Sequence, residues 1–240
     1  MSTSHEIVAL VPMKANSSRV RGKNFRLFAG KPLFRWILDT LIEMEEIDRI
    51  IINTDARGIL AHHGLVDSER VLIRDRKPEL CGDTVSMNKV LADDIAAIDS
   101  KLYLMTHTTN PLLSAETMRR ALTNLRASGA HDSLFSVNRH QTRFYKEDAT
   151  PVNHDPANLI PTQDLEPWYE ENSNLYLFSR ESFARTNARI GTSPLLYPIP
   201  PLESADIDDS TNWHMAEVLA LSKMFVKTTL EYEKSNRNHL

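Results

Sequence analysis

"IVALVPMKANSSRVRGKN" (Ile7–Asn24) opens on five apolar residues and passes into a loop of small polar residues carrying four cations, Lys14, Arg19, Arg21 and Lys23. An apolar run without polar alternation predicts a strand buried on both faces, hence a mostly parallel sheet with helices on each side. The loop asks for a different explanation. Cations this close repel one another, and a chain of net charge −4 has no surplus of them. The loop therefore predicts an anion, or acidic neighbours, at the end of the first strand.

The rest of the chain keeps the rhythm that this stretch begins. Pro32, Leu33, Phe34, Ile37, Leu38, Leu41 and Met44 share one helical face, with proline at a permitted first-turn position. "RIIINTD" (Arg49–Asp55) is a β-branched strand ending in polar residues, and Val71–Ile73 is a weaker strand. Asp83 is placed to cap a helix carrying Met87, Val90, Leu91, Ile95 and Ile98. "LYLMT", "SLFSV", "SNLYLF" and "LLYPIP" read as further strands; Met118, Leu122 and Leu125 mark another helix, and a last one runs from about Ser210 through Trp213, Ala216, Ala220 and Met224. The tail "EKSNRNHL" is expected to fray. Strands alternating with helices predict an α/β fold: a single Rossmann-like domain over residues 1–240, its mostly parallel sheet covered by helices on both faces. Ligands bind such sheets at the strands' carboxyl ends, where the basic loop, Asn53–Asp55 and Thr106–Asn110 would meet. Periodicity fails over residues 138–172, rich in Pro, His and acids. That segment is expected to be an inserted irregular arm, serving as a lid or dimerisation segment.

Composition narrows the partners. With 41% hydrophobic residues and a mildly acidic balance, the chain can bury a large core but lacks the basic excess of a nucleic-acid or membrane-surface binder. Cys81 is the single cysteine, so neither an intrachain disulfide nor a cysteine-based zinc site is expected. No apolar run has the length of a membrane span, and "MSTSHE" lacks the cationic and apolar parts of a signal peptide, which predicts a cytoplasmic protein. His62-His63 has no partners at metal-ligand spacing.

A second motif answers the basic loop. In "ADIDDSTNW" (Ala205–Trp213), Asp206 and Asp208 are two residues apart, so in an extended segment both carboxylates project to one side and can share a hard divalent cation such as Mg2+. The plainer alternative is that Asp209 or Ser210 starts the last helix, with the acids favouring its N-terminal dipole. The basic loop is neither GxxxxGK[ST] nor GxGxxG, so the common phosphate-loop and dinucleotide fingerprints are absent.

Taken in order, "VPMKANSSRVRGKN", "INTD", "RKPELCGDTVS", "TTNPLL" and "ADIDD" resemble the acylneuraminate cytidylyltransferases (CMP-sialic acid synthetases), with CMP-KDO synthetases as near relatives. The resemblance spans nearly the whole chain and implies CMP transfer from CTP to a sialic acid-like or KDO-like sugar acid, with Mg2+ as cofactor and a homodimer as the assembly. It implies nucleotide-binding roles for Lys14, Asn16, Ser17, Arg19, Lys23, Asn24, Arg76 and Asp83, and metal binding by Asp206 and Asp208. Lys14, Lys23 and the two aspartates are the implied catalytic group. Ser18-Arg19 follows the KDO-type pattern rather than the sialate-type one. On the acceptor side the resemblance implies His107, Thr109, Asn110, Glu170 and Asn172, but with two departures: His107 replaces a glutamine, and Glu170 stands where an arginine would pair with the acceptor carboxylate. Arg139, His140 or Arg143 are candidate replacement cations, and Trp168 with Tyr169 could line the acceptor pocket or a dimer seam. Other acceptors open at this stage are a phosphonate or another non-sugar acid. His107 is also the histidine nearest the expected site, with an unperturbed pKa suited to proton transfer. Two rival functions are a sugar-nucleotide-dependent glycosyltransferase, which also uses Asp-x-Asp, and a catalytically silent nucleotide-binding protein.

Overall fold

The apolar run Ile7–Val11 lies at the centre of the molecule. In the computed structural model, which describes residues 5–17 and 19–237 and, from residue 227 on, the backbone alone, β1 (His5–Leu10) has parallel neighbours on both sides: β4 (Arg49–Thr54) and β6 (Ser100–Met105). Met1–Ser4, Ser18 and Asn238–Leu240 lie outside the described residues, and with them part of the leader reading, Ser18 of the basic loop and the end of the tail.

Seven strands form the sheet in the order β5-β4-β1-β6-β8-β7-β9, adding β5 (Val71–Asp75), β7 (Ser133–His140), β8 (Trp168–Phe178) and β9 (Pro194–Pro198). β8 alone runs against its neighbours, antiparallel to both β6 and β7. Helices cover both faces because alternate residues of β1 point opposite ways. Ile7, Ala9 and Val11 pack with α1 (Leu33–Ile42) and α4 (Ala115–Ser128); Val8 and Leu10 pack with α3 (Met87–Ala97) and α5 (Arg180–Thr186). α2 (Arg57–His62) adds Leu60 to the first group. A third cluster joins the short hairpin β2 (Leu27–Phe28) and β3 (Lys31–Pro32) to the root of α6 (Ser210–Arg237), where Phe28 meets Trp213 edge-on at 5.3 Å.

Residues 138–172 are more regular than expected. β7 runs to His140 and β8 begins at Trp168, pairing Asn138 with Glu170, Arg139 with Tyr169 and His140 with Trp168. The arm thus has a two-stranded base, and only its outer part is irregular. A ribbon exposed on both faces has no apolar alternation to betray it, so periodicity could not reveal these strand ends. Gln141 Nε2 donates to the carbonyls of Gln163 and Leu165 at 2.6 and 2.8 Å, and Phe144 stacks on Trp168 at 5.6 Å, fastening the outer loop to its base. No helix among the described residues is long and apolar enough to cross a membrane.

Candidate active site

The chain leaves β1 toward β4 and β5 on one side, then crosses back to place β6 on the other. A crevice therefore opens beyond the carboxyl ends of β1 and β6, the position at which open α/β sheets take ligands. A cleft of about 280 Å³ lies there, lined by the loop after β1 (Lys14, Asn16, Ser17, Arg19, Lys23, Asn24), by Asp83 and by His107 and Thr109 after β6. Larger, mainly apolar grooves flank α6 but hold none of these side chains, so chemistry and not size identifies the site.

The loop is held open by bonds to distant parts of the chain. Met13 N–H donates to the Asn53 carbonyl at 3.0 Å and Ala15 N–H to Asp55 Oδ1 at 2.6 Å, so the β4 edge carries it past the strand end. Asn24 Nδ2 donates to the Lys14 carbonyl at 2.8 Å, and Asn24 Oδ1 accepts from Thr108 Oγ1 at 2.7 Å. Gly22, with φ +63°, starts the one-turn 3-10 helix Lys23–Phe25 in a left-handed conformation that a side chain would strain. Lys14 Nζ reaches the Gly82 carbonyl at 2.9 Å and Asp83 Oδ1 at 3.0 Å. Asp83 is therefore not the cap of α3; that helix begins at Met87 after Ser86, and Asp83 is drawn to the basic loop instead.

The segment of Asp206 and Asp208 meets the loop at Arg19 and Lys23. Ile207 between them is fully buried in the third cluster, together with Val20 of the loop. Alternation along an extended segment then leaves both aspartates turned from the core. Arg19 Nη1 lies 2.9 Å from Asp208 Oδ2, and Lys23 Nζ donates to the Ile207 carbonyl at 2.5 Å. The Arg19–Asp208 side chains are 65% and 45% exposed, so their pairing contributes under about 1 kcal/mol to stability and can be exchanged for another partner. Lys23 is different: burial lowers its pKa, while Asp208 and Asp206 oppose the shift. Burial raises the Asp206 pKa against a hydrogen bond from Thr109, and Asp208 adds repulsion. No group of three or more His, Cys, Asp or Glu able to hold a metal occurs among the described residues. Two carboxylates beside the cationic loop nevertheless fit Mg2+, which binds through one or two carboxylates and completes its shell with water and substrate phosphate.

The remaining expected residues separate. His107 lines the cleft, but burial, followed by the charges of Arg189 and Lys23, presses its pKa down to about 3. Near neutral pH it is an uncharged imidazole, too weak a base to accept a proton in transfer. Asn110 is fully buried and its Nδ2 donates to Asp206 Oδ1 at 3.4 Å, which makes it a support for the aspartate. Arg76 lies beneath the site, its Nε and Nη2 donating to Asn53 Oδ1 and the Asn53 carbonyl at 2.9 and 2.7 Å. Asn172 is buried between β7 and β8, where its Oδ1 accepts from Ser136 Oγ at 2.6 Å. Glu170 faces Asn138 and His140 at 3.1 and 2.7 Å, whereas Glu171, one residue on and so on the other face, lines a cavity beside the cleft. That cavity also holds Arg189. Sequence reasoning missed Glu171 and Arg189, which belong to no motif.

Comparison with known proteins follows the same lines. A family model described as cytidylyltransferase matches residues 8–198. The N-acylneuraminate cytidylyltransferase of Oncorhynchus mykiss is 25% identical over 219 residues, covering 88% of this chain and 49% of that protein. The CMP-N,N'-diacetyllegionaminic acid synthase of Legionella pneumophila is 27% identical over 240 residues, covering 89% of this chain and 95% of that protein. The chain spans about half the length of the curated N-acylneuraminate cytidylyltransferases it matches. Among solved structures, a CMP:2-keto-3-deoxy-manno-octonic acid synthetase complexed with CTP superposes with TM-score 0.63 at 13% identity, over 91% of this chain and 99% of that one. A 4-diphosphocytidyl-2C-methyl-D-erythritol synthase from Anaerococcus prevotii gives TM-score 0.64 at 14% identity, over 89% and 95%. These two share the fold.

Proposed function

The chain belongs to the cytidylyltransferase family, and from that membership we propose that it transfers CMP from CTP to a hydroxyl of a small sugar acid, sialic acid-like or KDO-like, releasing pyrophosphate. An acceptor hydroxyl oxygen attacks the α-phosphorus of CTP and forms the new P–O bond. The bond from the α-phosphorus to the bridging oxygen breaks, pyrophosphate carries away that electron pair, and the hydroxyl proton passes to water. Such a step needs in-line positioning and compensation of phosphate charge more than covalent help from the protein.

One observation supports the reading: the segment of the aspartate pair, far apart in sequence from the cationic loop, meets two of the cations that line the cleft, with Arg19 Nη1 2.9 Å from Asp208 Oδ2 and Lys23 Nζ 2.5 Å from the Ile207 carbonyl. In this reading Lys14, Arg19 and Lys23 bind the β- and γ-phosphates, Arg19 exchanging Asp208 for phosphate oxygen. Asn16 and Ser17 offer polar groups to the phosphates, and Asn24 fixes the loop through its bond to the Lys14 carbonyl at 2.8 Å. Asp206 and Asp208 would hold Mg2+, which, when bound, supplies charge neutralisation at the α-phosphate. His107, neutral with a pKa of about 3, offers a hydrogen bond and no charge. We infer also a homodimer with the arm at its seam, because Tyr145, Leu159, Trp168 and Tyr169 leave an apolar surface exposed on the arm.

The test is pyrophosphate release with CTP and Mg2+ across N-acetylneuraminate, 3-deoxy-manno-octulosonate and a small phosphonate, repeated with UTP and ATP. CTP with an acid is expected to give signal, and Asp208→Asn to lose at least about 100-fold, the order expected for removing one charge-stabilising group from a transition state. Turnover of sugar nucleotides without pyrophosphate would favour a glycosyltransferase and refute the reading. CTP protection against heat with no turnover on any acid would refute it in favour of a silent nucleotide binder.

A further inference from the structure

A second polar cavity, of about 340 Å³, adjoins the nucleotide cleft, and the two meet at Met87, which lines both. Arg189, in the connection between α5 and β9, is its one cation, set against Glu171 with Ser86 and Asn88 nearby. The guanidinium is fixed in place: its Cζ lies 3.8 Å over the Tyr176 ring, and its backbone N–H donates to Asn88 Oδ1 at 3.3 Å. Its side chain is only 18% exposed. Yet its donors are poorly used. Nη2 has a single long contact to Glu171 Oε1 at 3.4 Å, and Nη1 faces the Met105 thioether at 3.9 Å. Glu171 Oε1 is shared with the Tyr176 hydroxyl, which donates to it. A guanidinium has five N–H donors in a fork matched to a carboxylate, and a thioether is a weak acceptor. The charge of Arg189 also reaches the nucleotide cleft, where it helps depress the pKa of His107. Two of the arm's three candidate residues are engaged elsewhere, since His140 pairs with Glu170 at 2.7 Å and Arg143 donates to the Ile160 carbonyl at 2.7 Å.

We propose that Arg189 receives the carboxylate of the acceptor, with Glu171 beside it accepting a hydrogen bond from an acceptor hydroxyl, so that this cavity selects polyhydroxylated acids. The proposal rests on the cytidylyl-transfer reading and names the residue that chooses its acceptor. Arg189 and Glu171 balance each other in charge, so an acid is held through the donors of the guanidinium fork that Glu171 leaves unused and not through an excess of positive charge. An acceptor lacking the acid would leave the guanidinium facing sulfur and a single long carboxylate contact, with nothing gained from burying it.

The experiment compares wild type, Arg189→Lys and Arg189→Met on N-acetylneuraminate and 3-deoxy-manno-octulosonate, and on the methyl ester of each acid. Initial rates of pyrophosphate release give KM and kcat for the acceptor, and calorimetry without acceptor gives the Kd for CTP. Arg189→Met is expected to raise the acid's KM on the order of 100-fold, with CTP affinity within about 3-fold of wild type and partial recovery in Arg189→Lys. The esters, lacking the charge, should be poor substrates for wild type and Arg189→Met alike. An acid KM that stays within about 3-fold of wild type overturns the proposal, as does an equal further loss on acid and ester, or a parallel loss of CTP affinity. Should Arg189→Met fail to fold, Arg189→Lys decides alone, an unchanged KM again counting against it. Wild type inactive with every acid would instead overturn the cytidylyl-transfer reading, and this inference with it.

Discussion

Replacing Asp94 by asparagine should remove a pH dependence of stability that originates in one buried carboxyl. Asp94 on α3 is fully buried; its Oδ1 accepts from Asn53 Nδ2 at 2.8 Å and from Arg74, while Oδ2 has no partner. Burial raises its pKa from an ordinary 3.8 to about 6, the hydrogen bond from Asn53 and the charge of Arg74 offsetting only part of that rise. A difference of roughly two units corresponds to about 3 kcal/mol. The sign follows from proton counting. Between the two pKa values the folded state holds the proton and the unfolded state has released it, so stability falls as pH rises. The cost is absent below the unfolded pKa and fully present above the folded one. Urea unfolding at about pH 4.5 and about pH 7.5 spans about 2 of those 3 kcal/mol, and the wild-type-minus-variant difference cancels the titrating groups that do not interact with Asp94. The expected result is a wild type that gains about 2 kcal/mol over Asp94→Asn on acidification. A difference flat to within about 0.5 kcal/mol would show that burial does not govern this carboxyl.

Two further outcomes follow from the packing around the sheet and the cleft. In Gly191→Ala the new Cβ would lie 2.2 Å from Asp132 Oδ1, displacing a carboxylate that accepts from the Thr192 and Ser193 backbone N–H groups and from Arg185. A loss of about 2–4 kcal/mol in thermal or urea unfolding is expected, and a variant as stable as wild type would show that the clamp yields freely. In Lys23→Met the ammonium between the loop and the aspartate pair disappears with little change of volume. The kcat/KM for CTP should drop on the order of 100-fold at a temperature where circular dichroism shows the variant folded, since the Ile207 carbonyl loses its donor as well; activity within about 3-fold would remove Lys23 from the phosphate site.

How much of this was legible beforehand depended on the range of the interactions. Apolar runs and three-to-four-residue spacing express contacts within a single strand or helix, so the strands, the main helices and the two-sided cover of the sheet could be read directly. Asp206 and Asp208 were legible for the same reason, because spacing of two is a property of the local backbone. The short hairpin Leu27–Pro32 and the helices α2 and α5 were not, being too short to establish a period.

What the sequence determined by itself was therefore the alternation of elements, the basic loop after the first strand and the paired carboxylates. The tertiary structure alone decided which groups face one another. Strand order put Lys23 against the Ile207 carbonyl across 184 residues and Lys14 against Asp83 across 69. A reversed β8 lies between β6 and β7, and alternation along it turned Glu171, not Glu170, toward the cavity that Arg189 enters from a segment with no local pattern. Periodicity records only neighbours a few residues away, whereas a site is assembled from side chains whose separation in space is fixed by how strands are ordered and crossed.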